Sequence, residues 1–311
     1  MTKSICVSSP GSVANMVCGF DVLGFALNDP ADRIELSLLD RPDIVIEPDP
    51  DFQLPTDPAQ NVAGAALQAL MQELKNEPIG FRIAIKKNIK PGSGIGSSAA
   101  SAAGVVVAAN HLLGQRFTRQ QLVQFAMFGE KLASGVKHAD NIAPCIYGGI
   151  TLVRSIFPLD IISLPTPSLF VSIVHPQIEV RTADARAILK QKVLLKDAIR
   201  QWGNIAGLVA GIIKNDPALI GRSMEDHLIE PVRSMLIPGY AQLKKRCMQA
   251  GALGGGISGS GPSVFMLSQH EETAFSVETA MKDVFDQLGI AHATYVTTMN
   301  TEGVKINTPT P

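Results

Sequence analysis

The densest run of chemistry-bearing residues in the chain is Pro91-Gly92-Ser93-Gly94-Ile95-Gly96-Ser97-Ser98, continued by Ala99-Ala100-Ser101 and an apolar stretch to Leu113. A strand-like alternation precedes it, with Phe81, Ile83 and Ile85 apolar and Arg82 between. A glycine- and serine-rich turn that opens into a helix aims several backbone N–H groups at one point, and the helix dipole adds positive potential there. Phosphate is the natural guest. A flexible surface linker, the other reading of this composition, does not normally open a long apolar helix.

The common phosphate cradles do not fit. A Walker loop needs Lys just before its Ser/Thr, where this chain has Ser97. A dinucleotide fingerprint closes on Gly or Ala at that place and wants an acid about 20 residues on, where Phe117 stands. Protein kinases put Gly-x-Gly-x-x-Gly between two strands, not at the head of a helix. Another class of nucleotide enzyme is left.

Here the chain resembles a known family. Pro91 to Ala99 is similar to the ATP loop of the GHMP kinases, and two more segments follow that family's order. One is Pro10-Gly11-Ser12-Val13-Ala14-Asn15 with Gly19-Phe20-Asp21-Val22-Leu23-Gly24; the other is the glycine cluster from Gly251 to Ser263. The first of these, together with His138-Ala139-Asp140-Asn141, looks most like the branch that phosphorylates L-homoserine. The resemblance covers nearly the whole chain. It implies an α+β fold of two domains, an N-terminal one like domain 2 of ribosomal protein S5 and a ferredoxin-like C-terminal one. It further implies transfer of phosphate from ATP to homoserine in threonine biosynthesis.

Phosphoryl transfer needs a phosphate cradle, a metal site and a substrate clamp. The cradle is Pro91 through Ser101, and Asn61 is placed with it as a nucleotide contact. For Mg2+, the Ser98 hydroxyl and Glu130 supply hard oxygens that phosphate and water would complete, and the resemblance points to the same two residues. Taken alone, Glu130 reads as a solvated helix residue. L-Homoserine carries an ammonium, a carboxylate and a hydroxyl, so its site needs an acid, at least one Arg and a polar guide. The family's carboxylate positions fall on Arg186 and Arg233, and its amino and hydroxyl contacts on Asn15, Asp21, Asp140 and Asn141. Arg181 is a neighbouring competitor, and Thr182 is expected to cap its helix. His138 either lines the pocket or caps a helix. Some relatives pair an Asp at the position of Asp140 with an N-terminal Lys as base; the segment Ser8 to Asn15 has no Lys. Asp140 is therefore expected to hold the ammonium and Asn141 to orient the hydroxyl, with no dedicated protein base. A mevalonate-type kinase and a non-catalytic ligand sensor on the same fold are the alternatives.

The elements that must position these residues are legible only in outline. The 311 residues are 46% hydrophobic and 18% charged, with a net charge of −1, so a large core is easily filled and no nucleic-acid face is suggested. The low charge fits a homodimer. Cys6, Cys18, Cys145 and Cys247 lack any Cys-x-x-Cys spacing, which argues against zinc and a disulfide framework. The N-terminus has no signal-peptide core, and the uncharged stretch Pro91 to Gln115 reads as a buried helix behind its loop, so a cytoplasmic protein without membrane contact is expected.

Ile34, Leu36 and Leu38, and Ile44 with Ile46, suggest a pair of strands. Asn61 caps a helix with an apolar stripe, and Thr118 with Gln121 forms a capping-box signal for another. Pro158, Pro165 and Pro167 mark a boundary, dividing the chain into 1–157 and 158–311. Beyond it a helical region is expected from Thr182 to about Leu228, with Trp202 in its core, and strands at 264–267 and 293–297 flank a helix at 271–288.

Overall fold

A computed structural model describes residues 3–75 and 77–307. The first half is built on β1 (Ser4–Ala14), β2 (Leu23–Leu39), β3 (Ile44–Ile46), β4 (Gly80–Lys86), β5 (Ile150–Ile156) and β6 (Leu159–Leu164). Alternation sets the faces: Ile34 and Leu36 of β2, and Phe81, Ile83 and Ile85 of β4, are buried, while Glu35 and Arg82 are not. The last described strand, β11 (Lys305–Asn307), returns to this sheet beside β1, giving the order β11-β1-β2-β4-β3, with β5 on the far part of β2 and β6 beyond it. The strand pair expected at 34–38 and 44–46 is not a pair. β4 lies between them, antiparallel to β2 and parallel to β3.

Three helices cover this sheet: α1 (Val62–Glu73), α2 (Ser97–Leu112) and α3 (Arg119–Ser134). The side chain of Asn61 accepts from the backbone N–H groups of Ala63 and Gly64, and Thr118 and Gln121 close a reciprocal capping box at α3. α2 is buried on nearly every face, so its composition of Ala, Gly and Val reflects close packing between α1, α3 and the sheet. Among the described residues, no helix is long and apolar enough to cross a membrane.

The second half carries β7 (Phe170–Pro176), β8 (Gly254–Ile257), β9 (Val264–Ser268) and β10 (His292–Thr298) in the antiparallel order β10-β7-β9-β8. With helices between β7 and β8, and a helix over Glu271–Gln287 between β9 and β10, this is the ferredoxin-like arrangement. The proline-marked break at 157/158 falls in the turn of the β5–β6 hairpin, so the first sheet runs on to Leu164 and residues 165–169 lead to the second. The two halves share a core in which Phe25 meets Phe265 edge to face at 5.7 Å.

The region from Thr182 is not one helix. It comprises α5 (Thr182–Ala187), α6 (Leu195–Lys214) and α7 (Pro217–Ser223), and Asn215 stops α6 in the left-handed conformation before Pro217 opens α7. Trp202 of α6 is 60% exposed, not in the core. α6 turns Ala198, Gln201, Leu208 and Ile212 inward, and the helical period puts Trp202 on its other face.

Gly24 of β2 is where the fold makes room for the site. A Cβ there would fall 1.9 Å from the carbonyl oxygen of Asp140. Gly24→Ala should therefore displace the segment carrying Asp140 and destabilise the protein by roughly 3 kcal/mol, read as a lower urea midpoint. An unchanged midpoint would show that this contact yields easily.

Candidate active site

The loop after β4 is held from beneath by a buried ion pair. Lys87 Nζ bonds Asp32 of β2, the carbonyl of Ser97 at 3.0 Å and Ser101 Oγ at 3.0 Å. Asp32 also accepts from the backbone N–H groups of Asn88 (2.8 Å) and Ile89 (3.0 Å). Both side chains are almost wholly buried, and burial lowers the Lys87 pKa against the pull of Asp32. From there the backbone enters the loop, and Gly96 caps α2 at φ +70°, a conformation that a side chain resists. A Cβ at Gly96 would also lie 2.1 Å from Ser12 Oγ.

The second half braces the loop from above. Ser258 Oγ donates to the Gly94 carbonyl at 2.7 Å, and Ser263 Oγ to the Ser93 carbonyl at 2.6 Å. Thr182 does not cap its helix: Arg181 holds that position, and Thr182 Oγ1 lies 3.2 Å from Ser260 Oγ. The glycine cluster thus supplies β8 and a loop packed on the phosphate loop.

Beside the loop opens a cleft of about 280 Å³. Leu54, Pro55, Val62 and Ile85 line it, with Lys87. Pro91, Gly92, Gly94, Gly96, Ser97, Ser98 and Ser101 line it too, as does Asn61. Asn61 is already committed, since its Nδ2 donates to Pro55 O at 2.7 Å and its oxygen caps α1. Ser93, Ile95, Ala99 and Ala100 do not line the cleft; their side chains are buried in the packing below.

Ser98 Oγ donates to Glu130 Oε2 at 3.0 Å. Burial raises the Glu130 pKa, although His138 and the Ser98 hydroxyl pull the other way. A hydroxyl and a buried carboxylate that gains from a nearby cation fit Mg2+, which takes oxygen ligands and keeps water and phosphate in its remaining places. His138 lies between Glu130 (3.6 Å) and Asp140 (3.4 Å). Burial opposes its charge, but the two carboxylates outweigh burial and raise it to about 9. The pocket reading of His138 therefore replaces the helix cap, because Asn141 occupies the position before α4 (Ile142–Tyr147).

The same cleft is lined by Asp21, Asp140, Asn141, Arg186 and Arg233. Arg186 grips Asp21 with two bonds of 2.8 and 3.0 Å, and that bond raises its pKa further. Arg233 is buried and donates to the carbonyls of Ala185 and Gly259 at 3.2 and 3.0 Å; burial and Arg186 lower it to about 10. The Phe20 ring lies 4.9 Å from the Arg233 guanidinium and 5.4 Å from that of Arg186. Arg181, the competitor, is exposed and pairs with Asp184 at 3.2 Å. Asn141 Oδ1 accepts from Ser12 Oγ at 2.9 Å, which leaves its NH2 group for other work.

Asn15 lines the cleft with both ends of its amide in use. Its Nδ2 donates to Gly259 O at 2.8 Å, and its Oδ1 accepts from Asp21 N at 3.0 Å. It stands at φ +73°, with Met16, Val17 and Asp21 also left-handed, so the loop carrying Asp21 is strained. Gln201 of α6 steadies it by donating to Cys18 O at 2.8 Å.

A two-domain α+β fold with a glycine-rich anion loop heading a buried helix, facing a charged small-molecule pocket, defines a small-molecule phosphotransferase. The chain matches the model for the GHMP kinases N terminal domain over residues 61–149 and that for the GHMP kinases C terminal over 208–287. It is 46% identical to the homoserine kinase of Chloroherpeton thalassium over 91% of this chain and 92% of that one. The homoserine kinase of Methanocella arvoryzae is 41% identical over 97% of each. The crystal structure of homoserine kinase from Cytophaga hutchinsonii superposes with a TM-score of 0.94 at 48% identity, covering 99% of this chain and 98% of that one. The chain therefore belongs to the GHMP kinase family, among its homoserine kinases. L. major mevalonate kinase in complex with R-mevalonate, at 16% identity and a TM-score of 0.72 over 97% of each chain, shares the fold.

Sequence reading missed Lys87, Asp32 and Phe20. Lys87→Met should strand Asp32 as an unpaired buried charge and cost about 3–5 kcal/mol. Lys87→Met/Asp32→Asn should recover part of that loss in urea denaturation, and equal losses would mean that the two groups are not coupled.

Proposed function

We propose that this chain transfers the γ-phosphoryl group of ATP to the side-chain hydroxyl of L-homoserine, yielding O-phospho-L-homoserine for threonine biosynthesis in the cytoplasm, and that it works as a homodimer. One observation carries this reading: a single cleft is lined both by a phosphate cradle and by Asp21 and Asp140 together with Arg186 and Arg233. That charge set matches a zwitterion. A mevalonate-type acceptor has no ammonium to match these acids, and a ligand sensor would have no use for Ser98 beside Glu130.

In this reading the adenine takes the apolar lining of Leu54, Pro55, Val62 and Ile85, and the phosphates rest on the loop at the head of α2, where backbone N–H groups and the helix dipole favour negative charge. Ser98 and Glu130 are the residues that would hold Mg2+, a cation that neutralises phosphate charge when bound. Arg233 and Arg186 take the substrate carboxylate and Asp140 its ammonium. The NH2 group of Asn141 donates to the substrate hydroxyl oxygen, since its carbonyl is taken by Ser12. That oxygen bonds the γ-phosphorus as the bond to the ADP oxygen breaks, and the hydroxyl proton passes to the phosphoryl group or water. A loose transfer needs little activation of the nucleophile, so position and charge stabilisation supply most of the acceleration.

ATP consumption over a panel of homoserine, mevalonate, galactose and shikimate tests the reading, which fails if homoserine is not the preferred acceptor. Arg233→Ala should raise the homoserine KM roughly ten- to a hundredfold and leave the ATP KM nearly unchanged. Equal damage to both constants would make Arg233 a folding residue instead.

Asp140→Asn should act mainly through the homoserine KM, and Asn141→Ala mainly through kcat. A fall of several orders of magnitude in kcat for Asp140→Asn at saturating homoserine, with KM unchanged, would make Asp140 the base.

A further inference from the structure

The two guanidiniums of the acceptor pocket are not held alike. Both Nη atoms of Arg186 are taken up by the two oxygens of Asp21. Arg233 is more deeply buried, at 3% exposure, and among the described residues no acid reaches ion-pair distance of it. Its Nε donates to Ala185 O and its Nη1 to Gly259 O, both neutral acceptors. Asp21, Asp140 and Asp226 act on it only from farther off, while burial and Arg186 work against its charge. A cation so placed needs a compensating partner.

Phe20 is that partner. The centroid of its ring lies 4.9 Å from the guanidinium carbon of Arg233 and 5.4 Å from that of Arg186. An aromatic face carries negative charge density and attracts cations, more strongly where water is excluded. Two like charges thus share one ring. A carboxylate in its place would answer the charge of Arg233 more strongly, yet it would claim the N–H groups that an acceptor's own carboxylate needs. A ring attracts the charge and takes no conventional hydrogen bond from it.

We propose that Phe20 is a positioning residue for the acceptor's carboxylate, holding Arg186 and Arg233 side by side while leaving Arg233 without a competing anion. The inference rests on the reading above, in which these two arginines take that carboxylate. Phe20 acts through them, since it does not itself line the cleft.

The backbone presets the ring. Gly19 O accepts from Val22 N at 3.0 Å and from Leu23 N at 2.9 Å, closing a turn in which Phe20 directly precedes Asp21. A Cβ on Gly19 would lie 2.6 Å from Leu23 Cβ, so the turn closes this tightly only with glycine there. One turn therefore offers a ring to both guanidiniums and, one residue on, a carboxylate to Arg186.

Fluorinated phenylalanines at position 20 of the full chain test the proposal, because fluorine nearly keeps the ring's shape and drains negative charge from its face. The acceptor is whichever member of the panel the parent chain phosphorylates; homoserine, mevalonate and shikimate all carry a carboxylate. Its KM should climb stepwise with fluorine number, to roughly tenfold for the pentafluoro ring, with kcat and the ATP KM within about twofold of the parent. Phe20→Leu should raise the acceptor KM by about the same factor, and Phe20→Tyr should keep it near the parent value. A purely packing role would leave the fluorine series flat. A flat series, equal damage to the KM of both substrates, or a Leu variant as good as the Tyr variant overturns this proposal and leaves the homoserine reading standing. A parent chain that prefers mevalonate or shikimate overturns that reading alone, and one that takes only galactose, which has no carboxylate, or nothing in the panel overturns both.

Discussion

The site depends on a carboxylate buried where no water can reach it. Asp32 spends its oxygens on Lys87 and on two backbone N–H groups, and Lys87 passes the connection to the carbonyl of Ser97 and the hydroxyl of Ser101. One charge on β2 thus fixes the entry to the phosphate loop and the first turn of α2. A buried pair of this kind adds little net stability over an apolar substitute, because both ions lose their hydration. Its effect is on geometry: it ties β2, the end of β4 and the first turn of α2 into one arrangement.

The bracing by Ser258 and Ser263 extends the same logic across the molecule. Serine hydroxyls from the turn between β8 and β9 donate to carbonyls of the loop that follows β4, so the glycine-rich loop is placed by both halves of the molecule. Phe20 and the strained loop around it then hold the two guanidiniums within reach of one small molecule. Strain here is offset by burial of Met16, Val17 and Cys18 and by the amides of Asn15 and Gln201.

Local signals in the sequence identify the loop, the caps at Asn61 and Thr118 and the strand–helix–strand run from Val264 to Thr297, since each needs only neighbouring residues. The ion pair was legible in principle. Asp32 lies in step with Ile34 and Leu36, and Lys87 in step with Ile83 and Ile85, so alternation assigns both charges to the buried face. Met singly, a Lys after a strand and an Asp in a turn-like run read as solvated. Trp202 shows the opposite error: helical spacing identified its stripe but could not say which of two apolar faces of α6 the protein itself covers. The contacts of Thr182, Asn15 and Ser263 span long stretches of chain and have no local signature.

The position of β11 bears on the order in which the protein can become itself. Its residues pair with Cys6, Val7 and Ser8, nearly three hundred positions earlier, while β1 is already paired on its other edge with β2. During translation the first sheet must wait with that edge bare until the ribosome has made the second half. The serines that brace the nucleotide loop also come from that later stretch. A nascent chain with its first half complete therefore has the glycine loop but not its supports, and competence to handle a nucleotide arrives late in synthesis.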